Sequence, residues 1–200
     1  IRICLVGSEM CIRDSIIGHE IFLIIKWYFW YLLVLNLLTK YLMNIKLIYL
    51  SRNKNNNIEL LVNDYEKKIN HFVKFSSFCL KNKSQSNEKS QIIKSESDLI
   101  LKNINKEDTV VLLDEKGKEY SSYELADLIS TNMMDRTKNL TFVIGGAYGF
   151  SKKLKEIFNF KISLSKLTFP HDMARLFFCE QLYRSFTIIN NIPYHNKWKN

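Results

Sequence analysis

The sequence has few residues that interrupt regular secondary structure: two prolines and six glycines in 200 residues. This low content excludes collagen-like and proline- or glycine-rich low-complexity chains. The four cysteines form no Cys-x-x-Cys pair and have no metal-ligand spacing, so we expect neither a disulfide-dense miniprotein nor a metal site. Cysteines without a disulfide pattern are typical of a reducing compartment, and we expect a cytoplasmic protein.

Positive charge is what the chain has in excess. Lysine and arginine number 29 against 20 aspartates and glutamates, which gives a formal net charge of +9. Such an excess favours an anionic partner, either a nucleic acid or a lipid surface. Hydrophobic residues make up 46% of the chain, enough for one sizeable core or two small ones.

The first 42 residues differ from the rest. Residues 21–42 are nearly all apolar and could form a membrane anchor. Residues 5–15, LVGSEMCIRDS, resemble the in-frame translation of a sequencing adapter, so we interpret residues 1–42 as an artefactual or non-native leader and exclude them from the fold. The first credible initiator is then Met43. A membrane-anchored protein is the alternative if the leader is genuine.

From Met43 onward, short apolar runs alternate with segments of helical periodicity. Ser121 and Glu124 form a Ser-x-x-Glu capping box at the start of the third helical segment. The alternation predicts one α/β domain over residues 43–200, with a mostly parallel sheet and helices on both faces. The strands are predicted at residues 44–50, 75–80, 109–114, 140–144 and 161–164, and the helices at residues 58–73, 91–104, 121–134, 151–158 and 172–189.

Glycines are concentrated where the fourth predicted strand ends. Gly145, Gly146 and Gly149 lie there, and glycines let a ligand approach the backbone closely. A dinucleotide site would need a carboxylate about twenty residues later, but residues 164–168 read LSKLT. No Gly-Lys-Ser/Thr follows the glycines, which excludes a P-loop. The cluster therefore indicates a ligand site without specifying the ligand.

A family resemblance is more specific. Residues 142–195 contain, in order, IGG-x-x-G, SLSKLTFPH, R-x-x-x-x-E-Q-x-YR and PYH. With these motifs the stretch closely resembles the C-terminal half of the RlmH family of ribosomal RNA methyltransferases. Residues 110–126 resemble that family's preceding strand, loop and capped helix. The likeness extends from about residue 43 to residue 197 and is strongest after Thr109.

The resemblance implies a SPOUT, or α/β-knot, fold, in which the C-terminal segment passes through a preceding loop to form a trefoil knot. It also implies S-adenosylmethionine as cofactor, a homodimer, and methylation of N3 of a pseudouridine in large-subunit rRNA on the ribosome. No metal is expected, because the sulfonium is an activated methyl donor and the transfer depends mainly on positioning. A non-catalytic, basic RNA-binding protein of the same fold is the alternative function.

The resemblance also assigns roles to individual residues. Tyr194 and His195 are expected at the target base, with His195 either removing the N3 proton or positioning the substrate. Arg175, Arg184 and Lys197 are expected to contact RNA. The two arginines lie nine residues apart on the last helix and therefore point to nearly opposite faces, so one of them could instead serve the dimer or an ion pair. The cofactor-binding residues are expected to be Leu113, Gly145, Leu164, Ser165, Lys166, Leu167, Thr168 and Phe169.

Overall fold

The computed structural model describes residues 26–28, 30–31, 43–51, 55–82 and 88–195. The chain divides into two units, Ile1–Thr39 and Lys40–Asn200. In the first unit the described residues are helical, and most of the proposed leader lies outside the described residues. Of the helices that are described, none is long and apolar enough to cross a membrane.

Five strands alternate with five helices in the described part of the second unit, as the sequence predicts. The strands are β1 (Asn44–Leu50), β2 (Lys74–Leu80), β3 (Thr109–Glu119), β4 (Asn139–Ile144) and β5 (Lys161–Ser163). The helices are α1 (Asn56–Asn70), α2 (Lys89–Lys102), α3 (Ser122–Met134), α4 (Lys152–Ile157) and α5 (His171–Ile189). The predicted bounds are within three residues of the observed ones, except at the end of β3.

The strands form one sheet in the order β2-β1-β4-β3-β5, and every pairing between them is parallel. The central strands are buried on both faces, which explains their nearly continuous apolar sequences. In β1, Ile45 and Leu47 face one hydrophobic core, while Ile48 and Leu50 face a second core on the other side. Successive side chains of a strand point to opposite faces, so this single run supplies both cores.

Helices cover both faces of the sheet. Helices α1, α3 and α5 contribute Ile69, Ile129 and Phe178 to the larger core, and α2 and α4 contribute Ile100 and Leu154 to the smaller one. The predicted α/β class with helices on both faces is therefore confirmed. Helix α5 carries apolar residues on nearly all of its sides. One of them, Phe177, remains 39% exposed in the single chain.

The prediction that β3 ends at residue 114 is wrong, because the strand continues to Glu119 through an irregular register against β5. The register shifts between Leu113 and Lys118. Gly117 makes this possible, since a Cβ there would lie 2.6 Å from the backbone of Ile162. The irregularity places the intervening residues at the carboxyl end of the sheet, where extra strand residues often re-aim side chains.

Helix α3 begins as the sequence predicts. The backbone N–H of Glu124 donates to Ser121 Oγ at 3.2 Å, and the backbone N–H of Ser121 donates to Glu124 Oε2 at 2.7 Å. This reciprocal capping box satisfies two donors that a helix start leaves open. It also fixes the point at which the chain turns from β3 into α3.

Candidate functional site

A cavity of about 560 Å³, here called the main cavity, opens at the carboxyl ends of β3, β4 and β5. Its walls come from residues 113–116, residues 144–150, residues 163–165 and 167–169, the first turn of α5, Lys89 and Lys155. Ligands of open parallel sheets bind at this edge, since the loops that follow the strands converge there. The glycine cluster lies in the wall that follows β4, as the sequence predicts.

The glycine loop makes a tight turn. The backbone N–H of Gly149 donates to the carbonyl oxygen of Gly146 at 2.8 Å, and Gly149 has a φ of +71°. A side chain at position 149 would be strained in this left-handed conformation, although nothing lies within 4 Å of the Cβ it would add. At Gly145, by contrast, a Cβ would lie 3.1 Å from the ring of Phe150. The glycines therefore expose backbone at this wall of the cavity, beside the side chains of Tyr148 and Phe150.

Most of the predicted cofactor residues come together around this cavity. Lys166 does not line it; its ammonium lies 3.8 Å from Glu119, and its side chain is 87% exposed. The residues that do line it are Leu113, Gly145, Leu164, Ser165, Leu167, Thr168 and Phe169.

Hydrogen bonds fix the loop that follows β5. Ser163 donates from its hydroxyl to the carbonyl oxygen of Ser165 at 2.9 Å, and the backbone N–H of Leu167 donates to Ser165 Oγ at 3.0 Å. Side chains of serine that bond to nearby backbone stabilise turns in this way. The loop therefore presents its remaining backbone groups to the cavity in a defined conformation.

Two titratable residues of the wall have shifted pKa values. Burial alone raises the pKa of Asp114, but an ion pair with Lys155 and a 3.0 Å hydrogen bond from the backbone N–H of Lys116 hold it below its usual value. Burial lowers the pKa of His171, and the neighbouring Asp172 carboxylate only partly opposes this shift. The cavity thus holds a charged carboxylate next to a lysine, and an imidazole that favours its neutral form.

Sequence reasoning missed Asp114 and Lys155 as part of the site. The signal for Asp114 was its position directly after the buried run of β3, where polar side chains commonly face a ligand. Lys155 had no such signal, because its position depends on how α4 packs against β3. Among the described residues, no group of three or more histidine, cysteine or acidic side chains is placed to hold a metal ion.

The predicted catalytic residues lie in a second place, here called the C-terminal cluster: Tyr123, Glu180, Arg184, Tyr194 and His195. Glu180 accepts a hydrogen bond from the Tyr194 hydroxyl at 3.1 Å and one from Arg184 Nε at 3.0 Å. Arg184 Nη1 lies 3.3 Å from His195 Nδ1, and the His195 ring packs edge-on against Tyr123 with centroids 4.8 Å apart. Burial is the main cause that raises the pKa of Tyr194, and hydrogen bonding raises it further, so its phenol remains protonated.

The main cavity and the C-terminal cluster are separated along α5. Ala174 is the last residue of this helix that lines the cavity, whereas Glu180 and Arg184 lie six and ten residues further on. At the rise of an α-helix these offsets correspond to about 9 Å and about 15 Å along the axis. No member of the cluster lines the cavity. A single chain therefore keeps the predicted cofactor residues apart from Tyr194 and His195.

Comparison with known proteins identifies the family. A family model described as "Predicted SPOUT methyltransferase" matches residues 43–195. The chain belongs to the SPOUT methyltransferase family. The family implies the use of S-adenosylmethionine in general terms.

Three relatives of this SPOUT methyltransferase family member carry the name "Ribosomal RNA large subunit methyltransferase H". The protein from Flavobacterium psychrophilum is 44% identical over 78% of this chain and all of its own length. The one from Christiangramia forsetii is 42% identical with the same coverage of both chains. The one from Phocaeicola vulgatus is 46% identical over 68% of this chain and 88% of its own.

The prediction that Arg175 contacts RNA is wrong. Its side chain is only 1% exposed, and its guanidinium donates to Glu59 Oε2 at 2.7 Å and to the Tyr49 hydroxyl at 2.5 Å. The guanidinium carbon also lies 4.5 Å from the centroid of the Tyr49 ring. Arg175 therefore joins α5 to β1 and α1. The Arg184 side chain is 25% exposed and pairs with Glu180, and Lys197 lies outside the described residues.

This correction can be tested by replacing each arginine with methionine. Because Arg175→Met removes the buried partner of an ion pair and its hydrogen bond to Tyr49, we expect it to lower the free energy of unfolding by about 3 kcal/mol. Arg184→Met, on the same helix, breaks a more exposed ion pair and should cost about 1 kcal/mol or less. Urea unfolding followed by circular dichroism measures both. A stable Arg175→Met variant with weakened RNA binding would restore the original prediction.

Proposed function

We propose that this protein is a cytoplasmic S-adenosylmethionine-dependent methyltransferase that modifies large-subunit rRNA on the ribosome, and that its target atom is N3 of a pseudouridine. The observation that carries the proposal is the main cavity, whose walls contain seven of the eight residues that the family resemblance assigns to the cofactor. The names of the relatives support rRNA as the substrate. The net charge of +9 supports an anionic partner.

The walls of the main cavity suit this cofactor. Adenine needs apolar surfaces and backbone hydrogen-bond groups, and the cavity offers Leu113, Ile144, Leu164 and Phe169 beside the exposed backbone of two loops. Its volume of about 560 Å³ lies within the range for small-molecule sites. When bound, S-adenosylmethionine supplies an activated methyl group on a sulfonium. The task of the protein is then to position the acceptor atom in line with it.

The acceptor must lose a proton. Attack by N3 of a uracil ring requires loss of the N–H proton, and a nearby base, or a cation that stabilises the developing anion, assists this loss. Arg184 Nη1 and His195 Nδ1, 3.3 Å apart, place a cation beside an imidazole. Glu180 holds Arg184 in place through two of its guanidinium nitrogens. We assign to His195 either removal of the N3 proton or positioning of the base. We assign to Arg184 either stabilisation of the developing negative charge or contact with an adjacent phosphate.

A homodimer would bring the two separated parts together. Within one chain, Tyr194 and His195 lie beside the later turns of α5 and not at the cavity. The exposed apolar and aromatic side chains of this region support a contact with a second copy: Tyr123, Phe177, Ile192 and Tyr194. We therefore propose that the C-terminal cluster of one copy closes the main cavity of the other.

The proposed fold includes the trefoil knot that the family resemblance implies. Support comes from the family relationship, because knots are rare among folds and a parallel sheet alone does not require one. In such a fold the wall segments that follow β3, β4 and β5, which converge on the start of α5, would form the knotted region.

Calorimetric titration of the protein with S-adenosylmethionine tests the cofactor assignment. We expect saturable binding, about fivefold weaker in Gly149→Ala, because alanine disfavours the left-handed conformation of the turn by about 1 kcal/mol. Gly149→Asn is the matched control, since asparagine adopts this conformation more easily, and it should bind nearly as the native protein does. Absence of binding by the native protein, together with retained RNA binding, would favour the non-catalytic alternative.

Mixed dimers test the shared site. Two variants are needed: Thr168→Trp, which fills the main cavity, and His195→Ala. On its own, each variant should transfer little labelled methyl group to large ribosomal subunits. His195→Ala should bind the cofactor normally. If each site combines the cavity of one copy with the cluster of the other, randomly mixed dimers should recover about a quarter of native activity, because half are heterodimers with one intact site.

Failure of the mixture to recover any activity would place the whole site within one chain. Normal turnover by His195→Ala would remove His195 from the mechanism.

A further inference from the structure

A smaller cavity of about 350 Å³, here called the side cavity, lies next to the main cavity at the ends of β1 and β2. The two cavities share four wall residues: Gly146, Ala147, Tyr148 and His171. A molecule in the side cavity would therefore lie directly beside a molecule in the main cavity. Its volume is sufficient for a single nucleobase, and none of the cofactor residues predicted from the sequence line it.

Two carboxylates, Glu96 and Asp172, belong to the polar wall of the side cavity, together with Ser51, Asn82, Tyr148 and His171. Glu96, on α2, is only 7% exposed, and its carboxylate packs against Gly146 so closely that a Cβ there would overlap it. Oδ1 of Asp172 is buried and accepts no hydrogen bond from the described residues. Neither residue lines the main cavity, and among the described residues no lysine or arginine lines the side cavity. Such a wall rejects phosphate and suits a neutral group that donates N–H bonds.

The mouth of the site has the features of a single-stranded RNA contact. Tyr148 lines both cavities and is 47% exposed. The ammonium of Lys89 lies 5.4 Å from the centroid of its ring. Proteins that hold single-stranded nucleic acid pair aromatic rings, which stack on bases, with cations that contact the phosphates. This arrangement favours a nucleotide whose base enters the side cavity while its phosphate stays outside near Lys89.

We propose that the side cavity holds the target base and that Glu96 recognises it as a pseudouridine by accepting the hydrogen bond of its N1–H. This inference rests on the proposed function. In pseudouridine the ribose is joined to C5, so both N1 and N3 carry hydrogen and flank the C2 carbonyl. A base with N3 directed to the main cavity then presents N1 to a different wall.

Uridine would fit the same space with a different contact. When its N3 and ribose occupy the positions they have in pseudouridine, its C5–H replaces the N1–H. The Glu96 carboxylate would then face a C–H group in an enclosed site and lose the bond from the substrate. Sites built to bind a buried N–H discriminate strongly against analogues that lack it, because the polar group of the protein is left without that partner.

The test compares the native protein with Glu96→Gln on two substrates: large ribosomal subunits that carry the pseudouridine, and subunits from cells unable to form it. We expect the native protein to prefer the first. Glu96→Gln exchanges a charge-assisted bond for a neutral one, so kcat/KM on pseudouridine should fall about tenfold while kcat/KM on uridine stays unchanged. Glu96→Ala removes the acceptor, so it should reduce the ratio of kcat/KM on pseudouridine to kcat/KM on uridine further.

Asp98→Asn is the matched control, because it removes one carboxylate from an exposed position two residues along the same helix. Asp98→Asn should leave kcat/KM on both substrates unchanged. Calorimetry should show the same S-adenosylmethionine affinity for all variants. Equal losses on both substrates, no loss on either, or no native preference would overturn the inference. Weakened cofactor binding in Glu96→Gln would assign the side cavity to the cofactor. A native protein that methylates neither substrate would instead overturn the proposed function.

Discussion

Parallel pairing of all five strands determines where a site can form in this protein. Each strand enters the sheet in the same direction, so every loop that follows a strand emerges at one edge. The loops after β3, β4 and β5 enclose the main cavity, and the ends of β1 and β2 contribute to the side cavity beside it. The candidate site is thus a consequence of the sheet, whereas its chemistry depends on a few residues in the loops.

The first turn of α5 connects this edge to the rest of the fold. His171 lines both cavities, and Arg175, one turn later, is enclosed by Tyr49 at the end of β1 and by Glu59 of α1. This ion pair holds the beginning of α5 against the sheet. The later turns carry Glu180 and Arg184. The same helix therefore lines the main cavity with its first turn and contributes to the C-terminal cluster with its later turns. A rigid helix keeps the two parts at a fixed separation, and this separation is the physical reason for proposing that two copies share each site.

Much of the fold could be predicted from the sequence because the buried strands and capped helices have strong local patterns. The Ser121 capping box and the glycine turn after β4 depend on neighbouring residues only. The extension of β3 beyond residue 114 could not be predicted in this way, since it depends on how closely Gly117 allows β5 to approach. The burial of Arg175 also depends on distant residues. The spacing of Arg175 from Arg184 predicts opposite faces of the helix, but it does not predict which of the two arginines is buried.

The candidate site shows the same division between local and distant information. Most of the residues assigned to the cofactor followed from motifs that lie in continuous segments, and these segments do converge on one cavity. The side cavity had no such motif, because Glu96 comes from α2 and meets the glycine loop only in the folded chain. The separation of His195 from the main cavity could not be predicted from the sequence either, since it depends on how the tail folds back along α5.

Hydrogen exchange with and without S-adenosylmethionine tests the central claim most directly: that the carboxyl edge of the sheet is the cofactor site. The account predicts slower amide exchange in residues 145–150 and 163–169 on addition of the cofactor, with residues 105–109, at the opposite edge of the sheet, unchanged. Protection confined to other parts of the chain, or no protection at a saturating concentration, would contradict it.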